Sequence, residues 1–166
     1  MATIDFDALG QEVAGLLQRY IRLDTSNPPG NEQQACDFLA RILASESIES
    51  ATLVAAPGRA NLVATLPGSD ASLKPLVLLN HTDVVPVEAS QWQVEPFSGL
   101  IQDGFVWGRG ALDMKGMGIL ELVTMLTLKR RGVRLRRPLR FLAVADEEAG
   151  SDYGVEWLDR HHPELI

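Results

Sequence analysis

Three short clusters of acids and histidine stand out in this chain of 166 residues: His81-Thr-Asp83, Asp113 inside a glycine-rich stretch at 108–116, and Asp146-Glu147-Glu148. Each lies just beyond or between apolar runs that read as core. Carboxylates gathered in one place repel one another unless a cation holds them, so these residue types point to a divalent metal site. Several acids around one histidine are what a hydrolase working through two metals needs.

Each cluster offers a distinct part. His81 and Asp83 are two residues apart, which on an extended backbone puts both side chains on one side. That spacing suits a ligand and its orienting group, since a metal-bound imidazole usually donates its other N–H to a carboxylate. Asp113 follows Gly108-Arg-Gly110, where the backbone can turn sharply, and an aspartate there could bridge two cations or cap the helix that begins after it. Glu147 and Glu148 are adjacent, so on an extended segment they point in different directions, one free to bind metal and the other to carry a proton. A strand-end histidine and a solvated acidic turn are the plain alternatives for the first and third clusters. The 108–116 stretch also has the start of a dinucleotide loop, but Asp113 stands where the third glycine should be and would repel a pyrophosphate.

The elements that must carry these groups are legible as periodicity. Phe6, Leu9, Val13, Leu16, Leu17, Tyr20 and Ile21 recur at steps of three and four, the face of an amphipathic helix ending before Pro28. After a turn at 25–30, Asn31 and Gln34 have the spacing of a cap for a second helix with a stripe of Ala35, Phe38, Leu39, Ile42 and Leu43. Segments 51–54 and 61–66 read as paired strands, each closed by Pro-Gly. Segments 76–79 and 139–145 are nearly continuous in apolar residues, the pattern of central strands covered on both faces. Between them 114–128 is apolar almost all round, with Gly116 and Gly118 permitting close approach to a sheet. A strand, helix, strand crossover brings both strand C-termini to one edge, where open α/β sheets place ligands. His81 and Glu147-Glu148 fall there. A last helix begins at 154–160, and the chain ends where a further strand would be expected.

Fifteen basic against twenty-two acidic residues give a net charge of −7, which argues against nucleic acid or an anionic membrane as the main partner and favours a small substrate. Seven of the fifteen basic residues lie between Lys129 and Arg140, but no interleaved aromatics offer a stacking platform, and the patch reads as a solvated turn opposite the site. His161 and His162 stand near a helix end without acidic partners and read as surface residues. The single cysteine, Cys36, sits in a helical stripe and reads as core. The first residues lack a basic-then-apolar leader pattern, and a cytoplasmic protein is expected.

Taken as an ordered set, residues 25–32 (Thr-Ser-Asn-Pro-Pro-Gly-Asn-Glu), 80–86 (Asn-His-Thr-Asp-Val-Val-Pro), Trp92, Pro96 to Gly99, Asp103-Gly104, 108–116 and 145–148 (Ala-Asp-Glu-Glu) closely resemble the co-catalytic zinc metallopeptidases that include glutamate carboxypeptidase, acetylornithine deacetylase, succinyl-diaminopimelate desuccinylase and aminoacylase. The resemblance implies a three-layer α/β/α catalytic domain on a mixed, largely parallel sheet, with two Zn²⁺, Co²⁺ or Mn²⁺ being possible substitutes. It implies His81 and Glu148 as ligands of different metals, Asp113 as the bridging carboxylate, Glu147 as general base and Asp83 as the group orienting His81. It also implies a cis peptide bond between Asp113 and Met114. The reaction implied is cleavage of an amide bond in an N-acyl amino acid or peptide.

Family members supply a further acidic ligand and a distant histidine beyond a dimerisation domain, through which the complete protein could form a homodimer. Residues 1–166 therefore read as the N-terminal part of the catalytic domain, truncated at its C-terminus. With only His81, Asp113 and Glu148, each metal keeps two protein side chains, fewer than the three usual for catalytic zinc. The expectation is weak metal binding and no activity from this chain by itself. A metal-free relative serving as a binding module is the competing reading, disfavoured because unpaired buried carboxylates are costly to retain.

Overall fold

A computed structural model describes residues 3–166. Helix α1 (Phe6–Ile21) starts where the Asp5 side chain accepts the Ala8 N–H, and it buries Leu16, Leu17, Tyr20 and Ile21 on one face. Helix α2 (Glu32–Ser45) buries Ala35, Cys36, Phe38, Leu39 and Leu43. The expected cap at its start is absent: Asn31 makes no side-chain capping bond, and Gln34 donates instead to the Asp24 carbonyl. The Gly58 carbonyl takes the Gln33 N–H at 3.1 Å, so the first turn of α2 is satisfied from the following hairpin.

That hairpin is β1 (Ser50–Ala56) and β2 (Arg59–Leu66), antiparallel around Pro57-Gly58. Strand β3 (Leu76–His81) follows, then a small antiparallel pair, β4 (Leu100–Gln102) and β5 (Phe105–Trp107), then α3 (Lys115–Arg130), β6 (Leu139–Val144) and α4 (Val155–His161). The main sheet runs β1-β2-β6-β3. It is mixed, as expected, but parallel pairing is confined to β3 with β6, whereas β1 with β2 and β2 with β6 are antiparallel. The expectation of a largely parallel sheet is corrected on that point, because the tight turn after β1 can only return antiparallel.

Strand β3, whose apolar run predicts a place in the middle of the sheet, forms an edge instead, with Leu76 50% and Leu79 46% exposed. An apolar run alone cannot separate a central strand from an edge strand. Strand β6 is central and buried along both faces.

Two clusters make the three layers. Leu62, Ala64, Leu66, Leu139, Phe141 and Ala143 face α1, α2 and α3, while Leu142 and Val144 face α4 through Leu158. This is the period-two alternation of a sheet covered on both sides. Close approach is built in at Gly118, where a Cβ would lie 2.9 Å from Asn80 Oδ1. Cys36 is core, donating to the Ala60 carbonyl at 3.2 Å, and burial pushes its thiol up to about 12. Among the described residues, no helix is long and apolar enough to cross a membrane.

The basic stretch lies at the end of the sheet away from His81, since it runs from the last turn of α3 into the first two residues of β6. It is not uniformly solvated: Arg130 pairs with Glu12 at 2.8 Å and Glu46 at 2.6 Å, fastening α3 to α1 and to the end of α2. His161 stacks on Trp157, and His162 lies 3.7 Å from Glu164.

Candidate metal centre

The register of β3 against β6 sets His81 level with Val144, so the chain leaving each strand enters the same space. Past His81, the Thr82 N–H donates to the Val144 carbonyl at 2.8 Å and the Thr82 side chain to the same atom at 3.1 Å. The loop after α1 closes on this point. Asn27 N–H donates to the Val84 carbonyl at 2.9 Å, and the Thr25 hydroxyl to the Thr82 carbonyl at 2.6 Å. Asp83 is thereby buried among hydrogen-bond donors rather than facing water.

Past β6, the expected extended segment is a single 3-10 turn over Glu147–Ala149. Asp146 before it is left-handed at φ 64° and Gly150 after it has φ 121°. The turn brings Glu147 and Glu148 to the same side instead of parting them. Ligand atoms of His81, Glu147 and Glu148 lie within 4.8 Å of one another. Asp113 reaches the group from a third segment: its Oδ1 is 3.2 Å from His81 Nε2, and Glu147 Oε2 is 3.7 Å from the same nitrogen. Asp113 lies outside the three-way set and its side chain is 78% exposed, against 6% for His81. The Asp113–Met114 bond is cis, and Met114 rather than Asp113 occupies the N-cap of α3.

The orienting contact on His81 differs in its atoms from the expectation. Nδ1 lies 2.9 Å from the Asp83 main-chain carbonyl, whereas carboxylate Oδ1 stands at 3.5 Å. That carboxylate is otherwise engaged, accepting the Glu147 and Glu148 N–H groups at 3.1 Å each and the Asn27 amide at 2.8 Å. Asp83 therefore sets the ring of His81 mainly through its backbone and the acidic turn through its side chain.

Electrostatics follow from this crowding. Burial opposes charging His81, but the hydrogen bonds and charge of Asp83, with Asp113, outweigh it and raise the ring to about 9. Burial likewise pushes Asp83 up, yet the bonds from His81, Asn27 and the Glu148 N–H hold it below the usual carboxylate range. Glu148 is raised, first by burial and then by the charges of Asp113, Glu147 and Asp83, with His81 opposing. Three carboxylates and one imidazole nitrogen converge, and the acceptor atoms outnumber the protons available to them. That donor set fits a hard or borderline divalent cation.

Several residues beside the centre have buried partners that their local sequence does not reveal. Asn27, Glu32, Arg59 and Asp146 form a buried polar group behind Asp83, and Lys115 is fully buried at the start of α3. A charged residue flanking a turn, such as Arg59 beside Pro57-Gly58, is ordinarily solvated, so only its partners reveal it. A cleft of about 330 Å³ opens beside the acidic turn, lined by Leu79, Asn80, His81, Met114, Val144, Glu147, Ser151 and Val155.

Comparison with known proteins shows the family and the fold. Residues 77–165 match the family described as peptidase family M20/M25/M40. Aminoacylase-1 of Sus scrofa is 34% identical over 142 residues, covering 85% of this chain and 35% of its own. The mouse N-fatty-acyl-amino acid synthase/hydrolase PM20D1 is 41% identical over 97 residues, covering 55% of this chain and 18% of its own. Among solved structures, the metallo-carboxypeptidase Sso-CP2 of Sulfolobus solfataricus superposes with a TM-score of 0.80 at 22% identity, over 93% of this chain and 35% of that one. Human carnosine dipeptidase 1 superposes with a TM-score of 0.74 at 23% identity, over 93% and 36%. The chain thus spans about a third of the length of the aminoacylases it matches.

Proposed function

The chain belongs to peptidase family M20/M25/M40, and from that premise we propose that it carries the catalytic residues of a metal-dependent hydrolase that cleaves an amide bond in an N-acyl amino acid or peptide. The observation that carries the reading is the convergence on His81 Nε2 of carboxylates from two other segments, Asp113 and the 147–148 turn. The likeness to aminoacylase-1 supports the N-acyl amino acid as substrate class.

In this reading His81 and Glu148 would hold a dinuclear zinc site together with Asp113, whose carboxylate would serve both ions. His81 is placed for it: Nδ1 lies 2.9 Å from the Asp83 carbonyl and can donate its proton there, so that Nε2, once it has given up its own proton, would be the nitrogen offered to a metal. Bound there, the metal pair would polarise the amide carbonyl and make water a better nucleophile near neutral pH. Glu147, whose side chain is 55% exposed, takes the proton of the attacking water and returns it to the departing nitrogen. An amine and a carboxylate result.

The chain's own residues give each ion two side chains, so we propose that this polypeptide binds metal weakly and needs further ligands for turnover. Titration with Co²⁺ under visible absorption tests the reading. Weak, saturable uptake that disappears in His81→Ala is expected. No uptake even at millimolar Co²⁺ would leave a metal-free binding scaffold as the better account.

A further inference from the structure

Behind the candidate centre lies a polar cluster that the proposed chemistry does not use. The Asn27 amide nitrogen donates to Asp83 Oδ2 and to Asp146 Oδ1, at 2.8 Å each. Arg59 Nη2 donates to the same Asp146 oxygen at 2.7 Å, while its Nε and Nη2 grip Glu32 at 2.7 and 2.8 Å. All five residues are buried. Five segments meet there: the loop after α1, the first turn of α2, the first residue of β2 and the exits of β3 and β6.

We propose that Asn27 and Arg59 are positioning residues for the metal centre, acting through Asp146 and Asp83 on the Glu147-Glu148 turn. Two buried carboxylates, Asp83 and Asp146, face one amide, and both hydrogens of that amide are used to hold them side by side. Asp146 anchors the left-handed entry to the turn: its Oδ2 accepts the Tyr153 N–H at 3.2 Å and its carbonyl accepts the Ser151 N–H at 2.6 Å. Asp83 anchors the turn itself through the N–H groups of Glu147 and Glu148. Arg59 supplies the positive charge that pairs with both Glu32 and Asp146, and its guanidinium lies over the Tyr153 ring at 4.7 Å. None of these contacts reaches the cleft, yet each fixes backbone to which a proposed ligand or base is attached, and ligand placement of this kind governs metal affinity.

The inference rests on the reading of His81, Asp113 and Glu148 as metal ligands, and two measurements on the 166-residue chain keep the two apart. The first needs no metal. Asn27→Leu keeps the branched shape and removes both N–H donors, so amide hydrogen exchange at Glu147 and Glu148 should accelerate about tenfold or more, while the amides of Phe141 and Leu142 in β6 keep their protection. Asn27→Ser, with one donor in place of two, should fall between, and it carries the comparison if the leucine variant does not fold. The second measurement is the Co²⁺ absorption spectrum, which should weaken in both variants in the same order. Unchanged exchange at the turn, or acceleration shared equally with β6, overturns the proposal. Exchange that responds as stated in a wild-type chain that takes up no Co²⁺ upholds the positioning role and removes the metal. Equal Co²⁺ affinity in all three proteins with unchanged exchange removes the positioning role and leaves the metal.

Discussion

His81 Nδ1 is held by the main-chain carbonyl of Asp83 at 2.9 Å, closer than the 3.5 Å to the Asp83 carboxylate oxygen Oδ1. When the ring loses its Nε2 proton, the Nδ1 proton has the backbone carbonyl to hold it, and the carboxylate is left to hold the acidic turn.

Asp83→Asn separates these two jobs. With the ring neutral, its proton should stay on Nδ1, read from ¹⁵N shifts of the imidazole, while Co²⁺ affinity falls by about 10–100-fold because the turn loses one of its two acceptor oxygens. A switch of the proton to Nε2 would make the carboxylate the orienting group after all.

Glu147 is proposed to move a proton rather than to hold the metal. In an assembly with measurable amidase activity, Glu147→Gln should lower kcat by about 10²–10⁴-fold with metal content unchanged. Loss of metal in that variant would reassign Glu147 as a ligand, which its place within 4.8 Å of His81 and Glu148 makes the natural alternative. The 166-residue chain by itself should hydrolyse no N-acyl amino acid at a detectable rate.

Arg59 is the cation that compensates two buried acids, Glu32 and Asp146. Arg59→Met should cost about 3–5 kcal/mol in urea unfolding, since it strands both charges in the interior. Glu32→Gln combined with Arg59→Met should recover part of that loss, because one of the stranded charges is then gone.

Lys115 gives the protein a pH dependence of defined sign. Its Nζ donates to the Leu23 carbonyl at 2.6 Å and lies over the Tyr20 ring at 5.1 Å, and burial, slightly offset by Asp24, pushes it down to about 7. The unfolded chain would bind this proton up to 10.5, so between those values the unfolded state carries the extra proton and stability rises with pH. Below about 7 the full cost of burying the ammonium is present. Relative to Lys115→Met, the wild type should gain stability from pH 7 to pH 9, by at most ~1.4 kcal/mol per pH unit. A flat difference would mean that the carbonyl and ring contacts keep the ammonium charged.

Much of this was open to reading from the chain. The face of α1, the stripe of α2, the β1-β2 hairpin and the crossover from β3 through α3 to β6 follow from apolar spacing, because burial imposes its period on residue type. His81, Asp113, Glu147 and Glu148 stand out because acids and a histidine gathered next to apolar runs need a reason. Edge position did not show, since Leu76 to Leu79 carry the same residue types whether or not another strand covers them. Asn31 and Gln34 had the spacing of a helix cap, and the Gly58 carbonyl displaced it.

What the sequence by itself determined is the set of chemical groups and the strands that end beside them, for both are local properties of residue type and period. What only the tertiary structure decided is which acids share a space and what holds them there. Asn27 and Asp146 are 119 residues apart, Arg59 and Asp146 are 87 apart, and no local pattern records contacts of that span. The left-handed backbone at Asp146, which gathers Glu147 and Glu148 to one side, depends on those distant donors and belongs to the fold rather than to the segment.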